Sequence, residues 1–150
     1  YFKGDNQMGL NINGSYVQFV TEGLWECGGD LTTLLNEVGG LKKLNGYKTY
    51  YMLFDSTNIV TAPDLSVDET DMYSYYGTFN DCQYLKNVPP IRINNMINGT
   101  FRYTFVGCTS LESVTLCIKS ATKGYDTLLS TFQNCTSLSS LIMEEEKEQD

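Results

Sequence analysis

Histidine is absent from the chain of 150 residues. Because histidine is the usual general base and a common metal ligand, this absence excludes serine–histidine and cysteine–histidine nucleophiles and argues against most zinc and iron sites. Basic residues are also few: 10 Lys and Arg stand against 18 Asp and Glu, and the net charge of −8 argues against nucleic acid as a partner. No apolar run approaches the ~20 residues that span a membrane. The composition therefore favours a protein that is not an enzyme and has no cofactor.

Aromatic residues, in contrast, are abundant, with 11 Tyr, 7 Phe and 1 Trp. Tyrosine joins an apolar ring to a polar hydroxyl, so it suits both half-exposed strands and contact surfaces. Cysteine occurs five times, an odd number that rules out complete internal pairing. The chain begins with Tyr rather than Met and its start lacks the pattern of a signal peptide, so we expect a processed product or a piece of a longer protein.

An internal repeat occupies most of the chain. Its clearest copies, residues 79–88, 105–114 and 132–141, follow one another at intervals of 26 and 27 residues. Looser copies precede them at residues 53–62 and 35–44. A unit of this length is too short to bury its own apolar side, so it has to stack on its neighbours. The pattern predicts a solenoid of about five repeats.

Each repeat is expected to contain one short strand and one turn. Residues 111–116 follow the pattern Leu-x-x-Val-x-Leu, whose β-branched residues and alternation over residues 113–116 predict a half-buried strand. The strands of successive repeats should pair in parallel at ~4.8 Å. The polar stretch before each strand predicts a turn or a single helical turn. Short helices are expected after Asp30, over residues 31–38, and after Asp126, through residue 132.

These patterns divide the chain into three regions. Residues 1–34 are expected to form a β-rich N-terminal cap or connector, with strands between residues 10 and 20 and with Trp25 covering the end of the stack. Residues 35–143 hold the repeats. Residues 144–150 form an acidic tail, which would discourage end-to-end stacking of solenoids.

An aromatic residue is followed, after two intervening residues, by Cys-Thr-Ser-Leu at residues 105–111 and 132–138, with looser copies at residues 79–82 and 62–65. These motifs resemble the BspA-like leucine-rich repeats found in surface proteins of Bacteroidetes and related microbes. The resemblance covers about residues 35–143. It implies a leucine-rich-repeat solenoid, at the cell surface or outside the cell, that adheres to host glycoproteins, matrix proteins or other cells.

The N-terminal residues carry a second resemblance. Residues 20–23 and 31–35 are similar to the connector that leads into such repeats in multi-module surface proteins. Residues 1–6 resemble the last strand of a β-module. This resemblance implies that residues 1–34 derive from the boundary with a preceding module.

Two columns of the repeat hold three cysteines and three leucines, namely Cys82, Cys108, Cys135, Leu85, Leu111 and Leu138. We interpret the cysteines as small apolar side chains that point inward. Ser56 and Val38 stand in the same column, and since neither can replace a thiolate, the column favours packing over metal binding. A disulfide stays open as an alternative because stacked repeats are close enough for one. Cys27 and Cys117 lie outside the column and are not assigned partners.

Tyrosines fall at matching positions of two consecutive repeats, and they are Tyr47, Tyr50, Tyr51, Tyr73, Tyr75 and Tyr76. Either the repeat sets them in columns against the core, or they form a contact surface for a sugar ring or a protein, where tyrosine is favoured. Tyr51 and Tyr75 depart from the columns and are the predicted surface residues. The outward strand positions form a second predicted contact surface, or a merely solvated face, and include Lys86, Asn87, Glu112 and Ser113.

Acidic residues cluster between positions 63 and 72, and they are Asp64, Asp68, Glu69 and Asp71. They lack the alternating oxygen ligands and the fixed glycine of a calcium loop, so we expect a solvated loop and no bound metal. The sequence also has no phosphate loop, nucleophile elbow or paired-carboxylate motif. No catalytic residue is therefore predicted.

Two functions are compatible with this organisation. The first is a non-catalytic binding module that is displayed on a bacterial surface and recognises a protein or glycan of a host or neighbouring cell. The alternative is a structural or decoration module of a larger assembly, such as a phage fibre or a capsid appendage on a virion surface, which would form an oligomer. Repeat families host many partners, so the repeat pattern by itself does not separate the two.

The interpretation of the cysteines predicts the outcome of a thiol titration. The protein, denatured without reductant, should release five reactive thiols per chain, because the repeat column is explained by packing and needs no disulfide. A titration with a chromogenic disulfide reagent measures this number, and a reduced sample is the control. A lower count before reduction than after it would contradict the interpretation.

Overall fold

The computed structural model describes residues 10–12, 15–36, 38–44, 46–120 and 124–145. Within these residues the chain forms short strands and one 3₁₀-helix: β1 (Asn11–Ile12), β2 (Ser15–Tyr16), β3 (Trp25–Glu26), the 3₁₀-helix (Leu31–Leu34), β4 (Ile59–Thr61), β5 (Ile91–Ile93), β6 (Ser113–Ile118) and β7 (Ser140–Glu145). None of the helical structure in this part of the chain has the length and apolar character needed to cross a membrane.

Parallel strands connect residues that lie one repeat apart. β5, β6 and β7 form a three-stranded parallel sheet, in which Ile91 is opposite Leu116 and Val114 is opposite Leu141. β3 pairs in parallel with β4, whereas β1 and β2 form an antiparallel hairpin. The repeats are therefore joined by small parallel sheets with almost no helix between them.

Before each strand the chain runs through a series of turns, here called the turn segments: residues 48–57, 73–82, 99–108 and 126–135. In every turn segment each fourth residue has a positive φ, and these residues are Lys48, Met52, Ser56, Tyr73, Gly77, Asp81, Gly99, Tyr103, Gly107, Asp126, Ser130 and Asn134. A left-handed residue in each turn is incompatible with an α-helix. The short helix predicted after Asp126 is therefore wrong, and those residues form turns.

Backbone N–H groups of the turn segments alternate between two kinds of partner. The Thr104 N–H donates to the Phe101 carbonyl three residues back (3.1 Å), while the Phe105 N–H donates to the Thr131 carbonyl in the next turn segment (3.0 Å). The same alternation runs through the first three turn segments. Each copy is thus hydrogen-bonded to its successor through its turns as well as through its strands.

Aromatic rings form the centre of the core in two columns. The first column stacks Phe54, Phe79, Phe105 and Phe132, with ring centroids 5.1, 5.6 and 5.7 Å apart. The second stacks Tyr50, Tyr75 and Phe101 at 5.6 and 5.1 Å. All of these rings are buried except Phe132, which is half-buried at the end of its column. The aromatic columns therefore continue from one copy to the next without interruption.

Thr and Cys side chains connect the aromatic columns by hydrogen bonds to buried carbonyls. The hydroxyls of Thr78, Thr104 and Thr131 donate to the carbonyls of Tyr50, Tyr75 and Phe101 at 2.9, 2.7 and 2.8 Å. The thiols of Cys82, Cys108 and Cys135 donate to the carbonyls of Phe54, Phe79 and Phe105 at 2.9, 3.1 and 2.9 Å. Each of these carbonyls also accepts the backbone N–H three residues later, so the Thr or Cys side chain supplies a second donor, which a carbonyl with two lone pairs can accept.

The columns of cysteines and leucines pack inward in the copies that begin at residues 79 and 105. Cys82, Cys108, Leu85 and Leu111 are fully buried, whereas Cys135 and Leu138 at the end of the stack are half-buried. All five cysteines lie among the described residues, and no disulfide joins them. The thiols of the repeat column thus act both as packing groups and as hydrogen-bond donors.

The predicted register is wrong in the two earliest copies. Thr57, not Ser56, occupies the cysteine column, since its hydroxyl is buried 3.7 Å from the sulfur of Cys82 while Ser56 is exposed. Phe54 and Phe79 are 25 residues apart, one fewer than the interval of 26 between the copies that begin at residues 53 and 79. Val38 is 92 % exposed and does not belong to the column.

The N-terminal residues cover one end of the stack. Phe19 stacks on Phe54 with ring centroids 5.2 Å apart, and Trp25 packs at a tilt against both. Asp30 caps the 3₁₀-helix, because its Oδ1 accepts the Thr32 N–H at 2.7 Å. The prediction that this helix extends to residue 38 is wrong, because the helix ends at Leu34. The predictions for residues 1–9 and for most of the acidic tail, residues 146–150, lie outside the described residues.

The aromatic columns predict that removing a ring lowers the free energy of unfolding more in the middle of the stack than at its end. Phe79→Ala should lower the free energy of unfolding by about 3–5 kcal/mol, because it removes a ring packed on both sides. Phe132→Ala should cost only about 1–2 kcal/mol, because that ring is half-buried and stacks on one side. Urea unfolding measures both values, and Phe79→Leu gives an intermediate variant that retains a folded core. Equal costs at the two positions would contradict the continuous column.

Candidate functional site

Outward-facing tyrosines form one connected cluster, here called the tyrosine surface: Tyr16, Tyr47, Tyr51, Tyr73, Tyr76 and Tyr103. Along the stack, the ring centroids of Tyr16, Tyr51, Tyr76 and Tyr103 follow one another at 5.1, 5.0 and 5.3 Å. Tyr73 contacts Tyr76 at 6.2 Å and Tyr47 at 5.9 Å. Each ring of the cluster is therefore held by at least one other ring of the cluster.

The alternation within the turn segments explains which tyrosines face outward. Tyr50 and Tyr75 point into the core, and the residues that follow them, Tyr51 and Tyr76, point to the surface. The prediction that Tyr75 is a surface residue is wrong: it is 0 % exposed, lies between the rings of Tyr50 and Phe101, and donates its hydroxyl to the Leu65 carbonyl. The structure places the other predicted surface residue, Tyr51, in the tyrosine surface.

Two cations lie on rings of the tyrosine surface. The Nζ of Lys48 is 5.3 Å from the centroid of Tyr47 and 4.8 Å from that of Tyr51. The guanidinium of Arg102 is 5.0 Å from the centroid of Tyr103 and pairs with Asp126 at 3.1 Å. Such cation–π contacts favour a fixed arrangement of ring and charge. The surface thus offers aromatic rings and positive charge in one place on an otherwise acidic chain.

Neighbouring groups also affect the ionisation of this surface. Partial burial, with the nearby Tyr76, Tyr16 and Asp55, raises the pKa of the Tyr51 phenol above its ordinary value. The hydroxyl of Tyr103 accepts a hydrogen bond from Arg102 at 3.3 Å, and this contact raises the pKa of the guanidinium. Tyr51 and Arg102 thus keep their ordinary forms at neutral pH, a neutral phenol and a charged guanidinium. The cluster can make apolar contacts, hydrogen bonds and contacts with anionic groups.

The predicted strand-face residues lie elsewhere in the repeat. Lys86, Asn87, Glu112 and Ser113 are all exposed, at the points where the strand segments begin. Asn87 pairs with Thr61 as an isolated parallel bridge. The structure brings these four residues to the sheet side of the repeats, and it does not bring them into the tyrosine surface.

A buried carboxylate lies next to the core tyrosines. Asp71 is 5 % exposed and accepts a hydrogen bond from the Thr49 hydroxyl, in contrast to the solvated loop expected for it. Burial raises its pKa to about 6, against the lowering effect of the Thr49 hydrogen bonds. Burial, with Asp30 and Asp71 nearby, also raises the pKa of the Tyr50 hydroxyl, which has no hydrogen-bond partner among the described residues.

The acidic neighbours of Asp71 are held differently, since Asp68 and Glu69 pair with Lys42 and Lys43 at 3.7 and 2.7 Å. Within the described ranges, no three His, Cys, Asp or Glu side chains are close enough together to hold a metal ion. Cys82 and Cys108 are also poor nucleophiles, because burial raises the pKa of the Cys82 thiol to about 12 and raises that of the Cys108 thiol in the same direction.

A cavity of about 590 Å³ lies between the N-terminal residues and the first turn segment. Its walls are mainly apolar and include Phe19, Trp25, Leu31, Leu34, Phe54 and Pro63. A volume of this size is typical of small-molecule sites, but these sites also have a few converging polar groups. Of the two carboxylates in the lining, Asp30 already accepts the Thr32 and Gly40 N–H groups, and Glu26 is exposed to solvent. The tyrosine surface is therefore the better candidate site.

Because Asp71 is buried, we expect the free energy of unfolding to fall as the pH rises. Its pKa is about 6 in the folded chain against 3.8 ordinarily, so the folded state binds this proton more tightly, and the resulting stabilisation is lost as the pH rises from 3.8 through about 6. Asp71→Asn should abolish this loss and stabilise the protein at pH 7.5 by up to about 3 kcal/mol. Thermal unfolding at pH 5 and 7.5 measures the effect, with Asp68→Asn as a control for net charge. An unchanged slope in Asp71→Asn would contradict the assignment.

Comparison with protein-family models, with curated protein sequences and with solved structures finds no match for the chain. The resemblance of the Cys-Thr-Ser-Leu motifs to BspA-like repeats consequently remains a prediction. Support for a function comes from the geometry of the tyrosine surface and from the way the copies stack.

Proposed function

We propose that the protein is a leucine-rich-repeat solenoid of the BspA-like type and serves as a non-catalytic binding module. Its ligand is a protein or glycan on a host or neighbouring cell, and the tyrosine surface is the contact site. The observation that carries this proposal is the connected cluster of six tyrosines, with Lys48 and Arg102 on its rings. The resemblance of the repeats to those of bacterial surface proteins supports a location at the cell surface.

The regular stacking of the copies supports the solenoid. Residues one repeat apart are joined by parallel strands, by backbone hydrogen bonds of the turn segments and by stacked rings. Each copy contacts its sequence neighbours, as the copies of repeat proteins do. Such an architecture presents the same outward position of successive copies side by side, and this is how Tyr51 and Tyr76 come into contact at 5.0 Å.

The chemistry of the tyrosine surface suits recognition of another molecule. Tyrosine contributes a large amphipathic contact area at little cost in conformational entropy, and it is enriched among the residues that dominate binding energies. Here ring–ring and cation–π contacts fix the side chains before any ligand arrives. A surface that is already ordered loses less entropy on binding, so more of its contact energy appears as affinity.

A double substitution tests this site. Tyr51→Ala with Tyr76→Ala removes the stacked pair at the centre of the surface and should weaken binding at least tenfold, since central aromatic contacts dominate affinity. Binding is measured by biolayer interferometry to the best ligand from an array of matrix proteins and glycans. Tyr84→Ala is the matched control, because Tyr84 is exposed but lies outside the cluster.

Two results would refute the proposal. One is an array in which no protein or glycan binds above background. The other is a ligand whose affinity falls equally in the double variant and in Tyr84→Ala, since a general loss of aromatic surface would then explain the effect. Circular dichroism of each variant shows that the fold is retained.

A structural or decoration module of a larger assembly, such as a phage fibre or capsid appendage, is the second candidate. The observation that favours it is the exposed last strand β7, whose Leu141 and Met143 are uncovered. Light scattering on the purified chain separates the two candidates. A stable trimer or ring supports the assembly module, and a monomer supports the adhesion module.

A further inference from the structure

Two tyrosines from successive copies lie face to face in the tyrosine surface. The rings of Tyr51 and Tyr76 have their centroids 5.0 Å apart and their planes inclined by only 19°. The Met52 N–H donates to the Tyr76 carbonyl at 3.0 Å, so the two backbones are joined beside the rings. Both side chains are partly exposed. Two phenols are therefore held nearly parallel at a place that a reagent in solution can reach.

The other contacts of the tyrosine surface have a different orientation. The planes of the contacting rings are inclined by 68° to 84° in these pairs: Tyr16 with Tyr51, Tyr47 with Tyr73, Tyr73 with Tyr76, and Tyr76 with Tyr103. Rings at such angles meet edge to face. Among the described residues of this surface, Tyr51 and Tyr76 thus form the single stacked pair.

A second stacked pair of tyrosines lies in the core and serves as a comparison. The rings of Tyr50 and Tyr75 are 5.6 Å apart with their planes inclined by 22°. These two side chains are only 1 % and 0 % exposed, although each directly precedes a member of the surface pair. The two pairs therefore share their geometry and differ in access from solvent.

We propose that Tyr51 and Tyr76 are an oxidative cross-linking site, at which a peroxidase and hydrogen peroxide join the two rings as dityrosine. Each phenol gives its hydroxyl hydrogen, as one electron and one proton, to the oxidised peroxidase. The two phenoxyl radicals then pair, and a carbon–carbon bond forms between ring carbons next to the hydroxyl-bearing ones. The hydrogen on each bonded carbon moves to the phenoxyl oxygen and restores the phenol. Two tyrosines and one hydrogen peroxide thus give one dityrosine and two waters.

The stacked geometry favours this bond over its competitors. Two phenoxyl radicals couple when the π faces at the reacting carbons overlap, and nearly parallel rings bring these faces together. Edge-to-face rings point a C–H edge at the neighbouring face instead. Because both rings belong to one folded chain, their encounter is effectively unimolecular, whereas a bond between two molecules requires a collision. In dilute solution the cross-link should therefore form within the chain.

This inference goes beyond the proposed binding function, since the cross-link forms without a ligand. It would join the first turn segment to the second by a covalent bond. A bond between residues 51 and 76 closes a loop in the unfolded chain and so restricts its conformations. The cross-linked chain should consequently unfold at a higher urea concentration than the untreated chain.

The test treats the dilute, intact chain with a haem peroxidase and one equivalent of hydrogen peroxide. The product should remain a monomer in denaturing electrophoresis and should show the fluorescence of dityrosine. A protease that cleaves before Asp releases residues 30–54, which contain Tyr51, and residues 71–80, which contain Tyr76. Mass spectrometry should find these two fragments joined, with the summed mass less two hydrogen atoms.

Substitutions by phenylalanine locate the bond, because they keep the ring and remove the phenol. Tyr51→Phe and Tyr76→Phe should each reduce the joined fragments about tenfold or more, since the coupling then lacks its prearranged partner. Tyr47→Phe and Tyr50→Phe are the matched controls, because both residues lie in the same fragment as Tyr51. The hydroxyl of Tyr50 has no hydrogen-bond partner among the described residues, so its removal breaks no contact there. Both control variants should form the cross-link as the unmodified chain does.

The proposal is overturned if peroxidase treatment gives no dityrosine or gives it only between molecules. It is also overturned if the joined fragments persist in Tyr51→Phe and Tyr76→Phe, or if a control variant loses them equally. The binding measurements test the proposed function separately. A chain that cross-links at this pair but binds no protein or glycan would support this assignment and refute the proposed function.

Discussion

The hydrogen bond from a backbone N–H of one turn segment to a carbonyl of the next is the contact on which the rest of the structure depends. It recurs at every second residue, so adjacent copies are held in one register over the whole segment. That register stacks Phe on Phe and Tyr on Tyr, and it brings Thr and Cys donors to buried carbonyls. Stacked rings contribute beyond their buried area, but they meet only because the backbone aligns them.

This bonding pattern constrains the sequence, because it requires a left-handed residue in every turn. Glycine provides it at Gly99 and Gly107, where an added Cβ would collide with the Tyr73 ring and the Asp81 carboxylate. Asp and Asn, which tolerate this conformation, occupy several equivalent positions. Tyr73 and Tyr103 adopt it with bulky side chains, at a cost of order 1–3 kcal/mol each. Both rings belong to the tyrosine surface, so backbone strain and the proposed contact site coincide.

Sequence reasoning predicted the features that depend on simple periodicity. The spacing of the Cys-Thr-Ser-Leu motifs identified the column of Cys82 and Cys108, and the alternation near residue 113 indicated the strand β6. Sequence reasoning failed where the turns decide whether a side chain points into the core or to the surface. The four-residue period of the positive φ angles matches neither a helix nor a strand, so nothing in the sequence distinguished Tyr75, which is buried in the core, from Tyr51, which is half-buried and faces the surface. The burial of Asp71 was missed because a cluster of acidic residues is typical of a solvated loop. Asp71 differs from its acidic neighbours in its contact with the Thr49 hydroxyl, which the sequence does not indicate.

The contrast between the two ends of the stack has a consequence for how the molecule loses its structure. Where each unit rests chiefly on its neighbours, stability is close to a sum of nearest-neighbour terms, and opening begins where a unit has one neighbour instead of two. The cap built from Gln18, Phe19 and Trp25 gives the first copy a substitute neighbour. The last copy has none in the described chain. The capped copy should therefore open less readily than an uncapped end copy would, so that the tyrosines nearest the cap stay ordered longest.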